Sequence, residues 1–287
     1  MADHETVQLL ARLGEHVFVP LFVIPPRTRF PDHADEPIDA LKLFLSSYGF
    51  EHEGRSSAYG ELATAALGKC AMPAPTPTRA ASWAWSVWKT FCELGGFKNG
   101  KGANPKLNPL YSGRPADGHG IISVVFSDAL EQDGYNLYRF AIRALKSDDL
   151  ERAHTTLRSI RGTGPKIASL FLRDVALERT QSDTGLRHRE LLQPIDIWTR
   201  RTISNLIGRE IESDQEAARL IVQLADDADC CALSLNAGSW YFGSKIARTA
   251  QTLEGTIRNG GGIKRAIAKH AEQLHGESQR LGDVLGQ

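Results

Sequence analysis

The chain has 287 residues, 41% of them hydrophobic and 24% charged, with a formal net charge of zero, as expected of a globular protein with one large or two smaller domains. No apolar run approaches the roughly 20 residues that cross a bilayer, because Pro20, Pro25 and Pro26 interrupt the most apolar stretch, and the acidic start does not resemble a signal peptide. The four cysteines have the spacing of neither a disulfide framework nor a zinc or iron–sulfur site, so a cytoplasmic chain with reduced thiols is expected.

Apolar residues recur at helical spacing through most of the chain, which predicts an all-α protein. Helices are expected, in chain order, at 39–47, 59–67, 79–94, 135–145, 150–160, 165–178, 196–206, 215–225 and 245–256, followed by an amphipathic C-terminal segment. The proline-rich run 73–77 breaks the pattern, and residues 97–120 are expected to form a basic, glycine-rich loop. Residues 121–126 fit either a short strand or the front of a helix.

The helical hairpin at 148–178 carries the most specific pattern. Asp148 or Asp149 can cap its first helix, a turn of two glycines follows, and Pro165 suits the first position of the second helix. Glycines allow a backbone to approach a phosphate, and a helix N-terminus presents free N–H groups to it. The turn residues are therefore predicted to contact DNA: Arg161, Gly162, Thr163, Gly164 and Pro165. The alternative is a plain hairpin whose glycines merely permit the turn.

Net charge zero at first argues against a nucleic-acid ligand, but the charges are unevenly distributed. Acids dominate residues 1–54, whereas residues 98–114 contain only basic charged residues, and arginines are frequent in and after the hairpin, including Arg200 and Arg201. A basic face can therefore exist on a neutral protein, and a phosphate responds to the local potential.

The segment from Ile160 to Val175 resembles the hairpin of the helix-hairpin-helix (HhH-GPD) DNA glycosylase superfamily, whose catalytic aspartate opens the following helix, as Asp196 does in Pro194-Ile195-Asp196. Lys166, two residues after the second glycine, implies a bifunctional glycosylase and lyase. The long spacing between lysine and aspartate is similar to that of the archaeal 8-oxoguanine glycosylases. Arg161 stands where many members have proline, and the iron–sulfur cysteines of the endonuclease III branch are absent. The resemblance is specific over residues 148–206 only.

The resemblance implies that Lys166 attacks the sugar and that Asp196 stabilises the developing positive charge. We expect two helical lobes with a cleft between them, one formed by residues 1–40 and 200–287 and the other, a helical barrel with the hairpin, by 41–199. The substrate would be double-stranded DNA with a flipped, damaged or modified base, an oxidised purine such as 8-oxoguanine being favoured. The candidates for the base pocket are Tyr48, Phe50, His52, Arg55 and Trp198.

The same resemblance implies no required cofactor and no iron–sulfur cluster, but a Na⁺ or K⁺ ion held by the main-chain carbonyls of Arg158, Ile160 and Thr163. A monomer that does not bind membranes is expected, associated with the nucleoid if the protein is bacterial. Three alternatives stay open: a non-catalytic DNA-binding module, a lyase that acts only on abasic sites, and simpler roles in which Lys166 binds phosphate and Asp196 only caps its helix.

Overall fold

The computed structural model describes residues 3–50, 56–73, 77–96, 108–111, 119–179, 183–259 and 261–285. Within these ranges all regular secondary structure is helical and no strand occurs, which confirms the all-α prediction. The open choice at residues 121–126 resolves as a helix, α6 (Ile121–Val125).

The chain divides into two compact units. The first comprises Met1–Pro20, Gln181–Thr184 and Ile195–Gln287, and the second comprises Leu21–Thr180 and Gly185–Pro194. Residues 21–40, which the sequence suggested for the first lobe, thus group with the second unit. The reason is burial: Arg27 and His33 lie in the core of the second unit and contact Glu178 there.

The first unit is built from one N-terminal helix and the helices after residue 195. They are α1 (His4–Leu13), α11 (Ile197–Ile207), α12 (Asp214–Asp227), α13 (Ala232–Tyr241), α14 (Ala250–Arg258) and α15 (Gly262–Leu285), with a π-helical segment at Phe242–Ala247. Glycine lets α1 and α13 approach closely, because a Cβ on Gly238 would lie 1.8 Å from the carbonyl oxygen of Leu10. A larger residue there would force the two backbones apart.

The apolar stretch after α1 continues as a helix through Pro20, contrary to the expected interruption. Residues Gly14–Val23 are π-helical and contain Pro20. Proline has no N–H and can donate a main-chain hydrogen bond in neither an α- nor a π-helical turn, so the segment stays helical without that bond at Pro20. The run His4–Arg29 is the one helical stretch among the described residues that is long and apolar enough to cross a membrane, and 44% of its most apolar window is buried inside the protein. Buried core helices meet the same criterion.

The second unit contains the remaining helices. They are α2 (Ile24–Arg29), α3 (Pro37–Ser47), α4 (Ser56–Lys69), α5 (Pro77–Phe91), α6, α7 (Asp128–Glu131), α8 (Leu137–Ser147), α9 (Leu150–Arg158) and α10 (Pro165–Arg179), with short 3₁₀ segments at Pro31–Ala34 and Arg189–Leu192 and a π-helical turn at Cys92–Gly96. Its core includes Phe44 of α3 and Phe171 of α10, whose rings meet edge to face with centroids 5.2 Å apart. Aromatic packing thus joins α10 to the centre of the unit.

A buried polar network anchors the C-terminal half of α10. Arg27 donates to the carboxylate of Glu178 and, at 3.3 Å, to the hydroxyl of Tyr48. The Tyr48 hydroxyl in turn donates to Asp174 at 3.2 Å, and Arg173 donates to Asp174 at 2.8 Å. Its charges are paired, as burial requires.

Candidate functional site

The turn between α9 and α10 is closed by its own backbone. The Ile160 N–H donates to the Leu157 carbonyl at 3.1 Å, and the Thr163 N–H donates to the Ile160 carbonyl at 2.9 Å. Gly162 has φ of 76°, in the left-handed region. A side chain would strain the backbone there, so glycine at 162 is explained by the turn itself.

A neighbouring segment holds the turn from outside. The Arg161 N–H donates to the His119 carbonyl at 2.7 Å, and the Arg161 guanidinium lies 5.0 Å from the centre of the Tyr111 ring. Thr163 is buried. Of the predicted DNA contacts, Arg161 and Thr163 thus have structural contacts of their own, whereas Gly164 and Pro165 are exposed.

The N-terminal end of α10 is open. The first helical hydrogen bond runs from the Ala168 N–H to the Gly164 carbonyl at 3.1 Å. The N–H groups of Gly164, Lys166 and Ile167 have no acceptor within the part of the chain that the structure describes. These groups and the helix dipole make the end of α10 suitable for binding an anion.

Lys166, the predicted nucleophile, projects from this open end. Its side chain is exposed, and it forms no hydrogen bond or ion pair with any described residue. The described residues therefore leave the Lys166 amine exposed.

His154 is a residue of the hairpin that the sequence analysis missed. It is buried on α9, and its Nε2 lies 3.3 Å from both the Pro165 carbonyl oxygen and the Ser169 Oγ on α10. Burial, the largest cause, lowers the pKa of His154, and nearby Arg158 lowers it further. The neutral tautomer with a proton on Nε2 can donate to Pro165, which ties α9 to the first turn of α10. The sequence did contain a signal for this buried role, since His154 stands at a position of α9 where the helical spacing predicts an apolar residue.

The three residues whose carbonyls are predicted to hold a monovalent cation, Arg158, Ile160 and Thr163, all line one shallow cavity of about 430 Å³ at the turn. The Ile160 carbonyl already accepts the Thr163 N–H, but a carbonyl oxygen has a second lone pair. The buried Thr163 Oγ1 has no hydrogen-bond partner among the described residues. Oxygen donors of this kind suit Na⁺ or K⁺, and the cation stays a prediction.

Asp196 is the N-cap of α11, as its sequence position indicated. Its carboxylate accepts the Thr199 N–H at 2.8 Å through Oδ1, and the side chain is half-buried. Asp196 also lines a cavity of about 650 Å³ that extends along α11 and reaches α14. The carboxylate is thus both a cap and part of a concave surface.

Arginines dominate the charge of this cavity, which we call the α11 cavity. Four line it, Arg200, Arg201, Arg209 and Arg258, together with three acids, Asp196, Glu210 and Glu254. The Arg201 guanidinium lies 5.6 Å from the centre of the Trp198 ring. Trp198 is half-buried beside the backbone of Gly243. Arg200 and Arg201 were recognisable in the sequence as basic residues, but no site was predicted for them.

The structure places the other described candidates for the base pocket in the protein interior. Tyr48 is buried, with its hydroxyl in the network of Arg27 and Asp174, and Phe50 is buried against Tyr59 and Phe91. Since protein atoms rather than solvent cover both rings, we remove them from the base pocket. His52 and Arg55 lie outside the described residues.

Lys166 belongs to the second unit and Asp196 to the first. No protein-family model, curated protein or solved structure matches the chain. The assignment of the two residues therefore rests on the motif and on the local geometry of each.

Proposed function

We propose that this chain is a bifunctional DNA glycosylase with an associated abasic-site lyase activity, acting on a damaged or modified base, with 8-oxoguanine the first substrate to examine. The observation that carries the proposal is the exposed start of α10, where Gly164 and Lys166 adjoin backbone N–H groups that lack acceptors among the described residues. A helix-hairpin-helix that binds the DNA backbone requires this combination.

Gly164 supports a ligand because the fold does not require glycine there. It occupies the N-cap position of α10, its φ is not in the left-handed region, and a Cβ added to it would meet nothing within 4 Å. Serine, threonine, asparagine or aspartate would cap the helix better. Because the fold does not require glycine at 164, its presence there is consistent with a phosphate that approaches the backbone closely.

Lys166 would supply the nucleophile. Its deprotonated amine forms a bond to C1′ of the target nucleotide, the glycosidic bond breaks, and the base leaves with the electron pair and takes a proton. Ring opening gives an imine between Lys166 and the sugar. Loss of a proton from C2′ then breaks the bond between C3′ and its oxygen, which nicks the strand, and water hydrolyses the imine to regenerate the amine.

Asp196 would stabilise the positive charge that develops on the sugar as the base departs. Its cap hydrogen bond to Thr199 occupies Oδ1 and fixes the orientation of the carboxylate, while Oδ2 has no partner among the described residues. A carboxylate held in this way needs little reorganisation during the reaction.

The test is covalent trapping. The native chain is mixed with duplexes carrying an abasic site or 8-oxoguanine, borohydride is added to reduce any imine, and the adduct is measured by gel mobility and mass. We expect adduct on both duplexes, its loss in Lys166→Gln, and its retention in Lys146→Gln, which changes an exposed lysine of α8 in the same unit. DNA binding by Lys166→Gln should be largely kept.

The other outcomes separate the alternatives. Adduct on the abasic duplex alone indicates a lyase without base excision. No adduct on either duplex, with DNA binding intact, rejects Lys166 as nucleophile and favours a monofunctional glycosylase or a non-catalytic binding module.

A further inference from the structure

We propose that the α11 cavity is a second contact site for the DNA strand, in which Arg201 binds a backbone phosphate and Ile197 packs against the adjoining sugar. This inference rests on the proposed function, since it takes DNA as the ligand. It assigns a role to residues outside the hairpin and the two catalytic positions.

Arg201 differs from the other arginines of the cavity in its partners. Arg200 pairs with Asp214, Arg209 pairs with Glu216 at 2.7 Å, and Arg258 pairs with Glu254 at 2.8 Å. Arg201 has no carboxylate partner among the described residues. Its guanidinium donors are therefore available to an anion, and arginine matches phosphate with two parallel hydrogen bonds.

Trp198 prepares Arg201 for this role. The guanidinium lies over the indole ring, 5.6 Å from its centre, one helical turn further along α11. A planar cation stacked on an aromatic face loses conformational freedom before a ligand arrives and retains the donors at its edge. Less entropy is then lost when a phosphate binds.

Ile197 gives the cavity an apolar part. Its side chain is 55% exposed, which places it among the large hydrophobic residues that the described fold leaves uncovered. Ile197 and Arg201 are four residues apart on α11, so their side chains lie on the same face of the helix. Both line the α11 cavity. An anionic phosphate attached to an apolar sugar face has the matching chemistry.

Glu254 is paired with Arg258, and the other two acids of the cavity restrict where the phosphate binds. Asp196 precedes α11 and Glu210 follows it, so that the two carboxylates belong to opposite ends of the helix with Arg201 between them. A phosphate would be repelled at either end. The middle of α11, at Arg201, is the position expected for it.

The test measures the affinity for an undamaged, fluorescently labelled duplex over a series of salt concentrations. Arg201→Gln should lower the affinity about tenfold, as expected for loss of one charge-assisted hydrogen-bonding group, and reduce the salt slope by about one. Arg201→Lys keeps the charge and should retain the slope while losing part of the affinity. Ile197→Ala should lower the affinity by a smaller factor without changing the slope.

The matched control is Arg219→Gln, which removes an exposed arginine of α12 in the same unit that does not line the cavity. If Arg201→Gln and Arg219→Gln have equal slopes, or if the native chain does not bind the duplex, the inference is wrong. Borohydride trapping on the same proteins tests the enzyme separately. A reduced slope in Arg201→Gln without any adduct in the native chain would retain this site and reject the bifunctional mechanism through Lys166.

Discussion

The two ends of helix α10 differ in what surrounds them. At its N-terminal end Lys166 is exposed and the first N–H groups have no acceptors among the described residues. Toward its C-terminal end Glu178 binds Arg27, while Asp174 binds Tyr48 inside the core. Within the described ranges the N-terminal end keeps N–H groups without acceptors, whereas the C-terminal half binds Arg27 of α2 and Tyr48, which directly follows α3.

This difference shows how one helix can be anchored in the core at one end while its first N–H groups lack acceptors among the described residues at the other. Charged groups are costly to bury, so the Arg27 network contributes mainly by requiring a single arrangement of α2, α3 and α10. Burial, the largest cause, and the neighbouring Asp174 raise the pKa of Tyr48 against the opposing effect of Arg27, so the Tyr48 hydroxyl stays protonated and can donate to Asp174. The C-terminal half of α10 is thereby anchored to α2 and to Tyr48.

The largest effect is expected from breaking the anchored end. Glu178→Gln leaves the Arg27 cation buried without its charge partner, and we expect a loss of about 3–5 kcal/mol in the free energy of unfolding. The measurement is urea denaturation at neutral pH. Glu61→Gln is the control, because it breaks the exposed pair between Glu61 and Arg29, and Arg29 lies on α2 as Arg27 does. This change should cost at most about 1 kcal/mol. Similar losses in the two variants would contradict a special role for the buried pair.

Acid should lower the stability that the C-terminal end of α10 contributes through Glu178. Burial opposes the charged form of Glu178, but hydrogen bonds and the Arg27 cation prevail and lower its pKa from 4.5 to about 2. The stabilisation by this carboxylate is thus present above its unfolded pKa of 4.5 and is lost as the pH falls toward about 2. Glu178→Gln should remove this part of the pH dependence.

A smaller effect is expected at the turn between α9 and α10. A substitution of Gly162 should affect stability, whereas a substitution of Gly164 should affect DNA binding. Gly162→Ala places a side chain at positive φ and should cost about 1–2 kcal/mol of stability. Gly164→Asn should leave stability unchanged or slightly raised, since asparagine is a strong N-cap, while it weakens DNA binding by obstructing the phosphate. Denaturation and duplex titration of both variants provide the measurement. If Gly164→Asn binds DNA as the native chain does, the backbone there does not contact phosphate.

The smallest effect concerns His154 at the open end. Since burial lowers its folded pKa below the ordinary 6.5, the unfolded chain binds the proton more readily. Stability from the neutral imidazole is therefore present at neutral pH and declines as the pH falls below about 6.5, until the folded pKa is passed. His154→Gln retains a donor for Pro165 and should flatten the stability profile below pH 6.5. Parallel profiles of the variant and the native chain would show that His154 is not the responsible group.

Sequence alone determined the features that depend on neighbours along the chain. The turn at Gly162, the start of α10 at Pro165 and the cap at Asp196 follow from φ preferences and from hydrogen bonds that span a few residues. Such signals are complete within a short window, so they can be read before any fold is known.

Tertiary structure decided what surrounds those features. Only the fold pairs Arg27 with Glu178, 151 positions away, places Tyr48 in their network instead of a base pocket, and leaves Arg201 stacked on Trp198 beside an open cavity. The physical reason is that burial and charge pairing depend on which distant segments meet. A local pattern cannot specify this, because the same arginine or tyrosine is compatible with a core, a surface or a site.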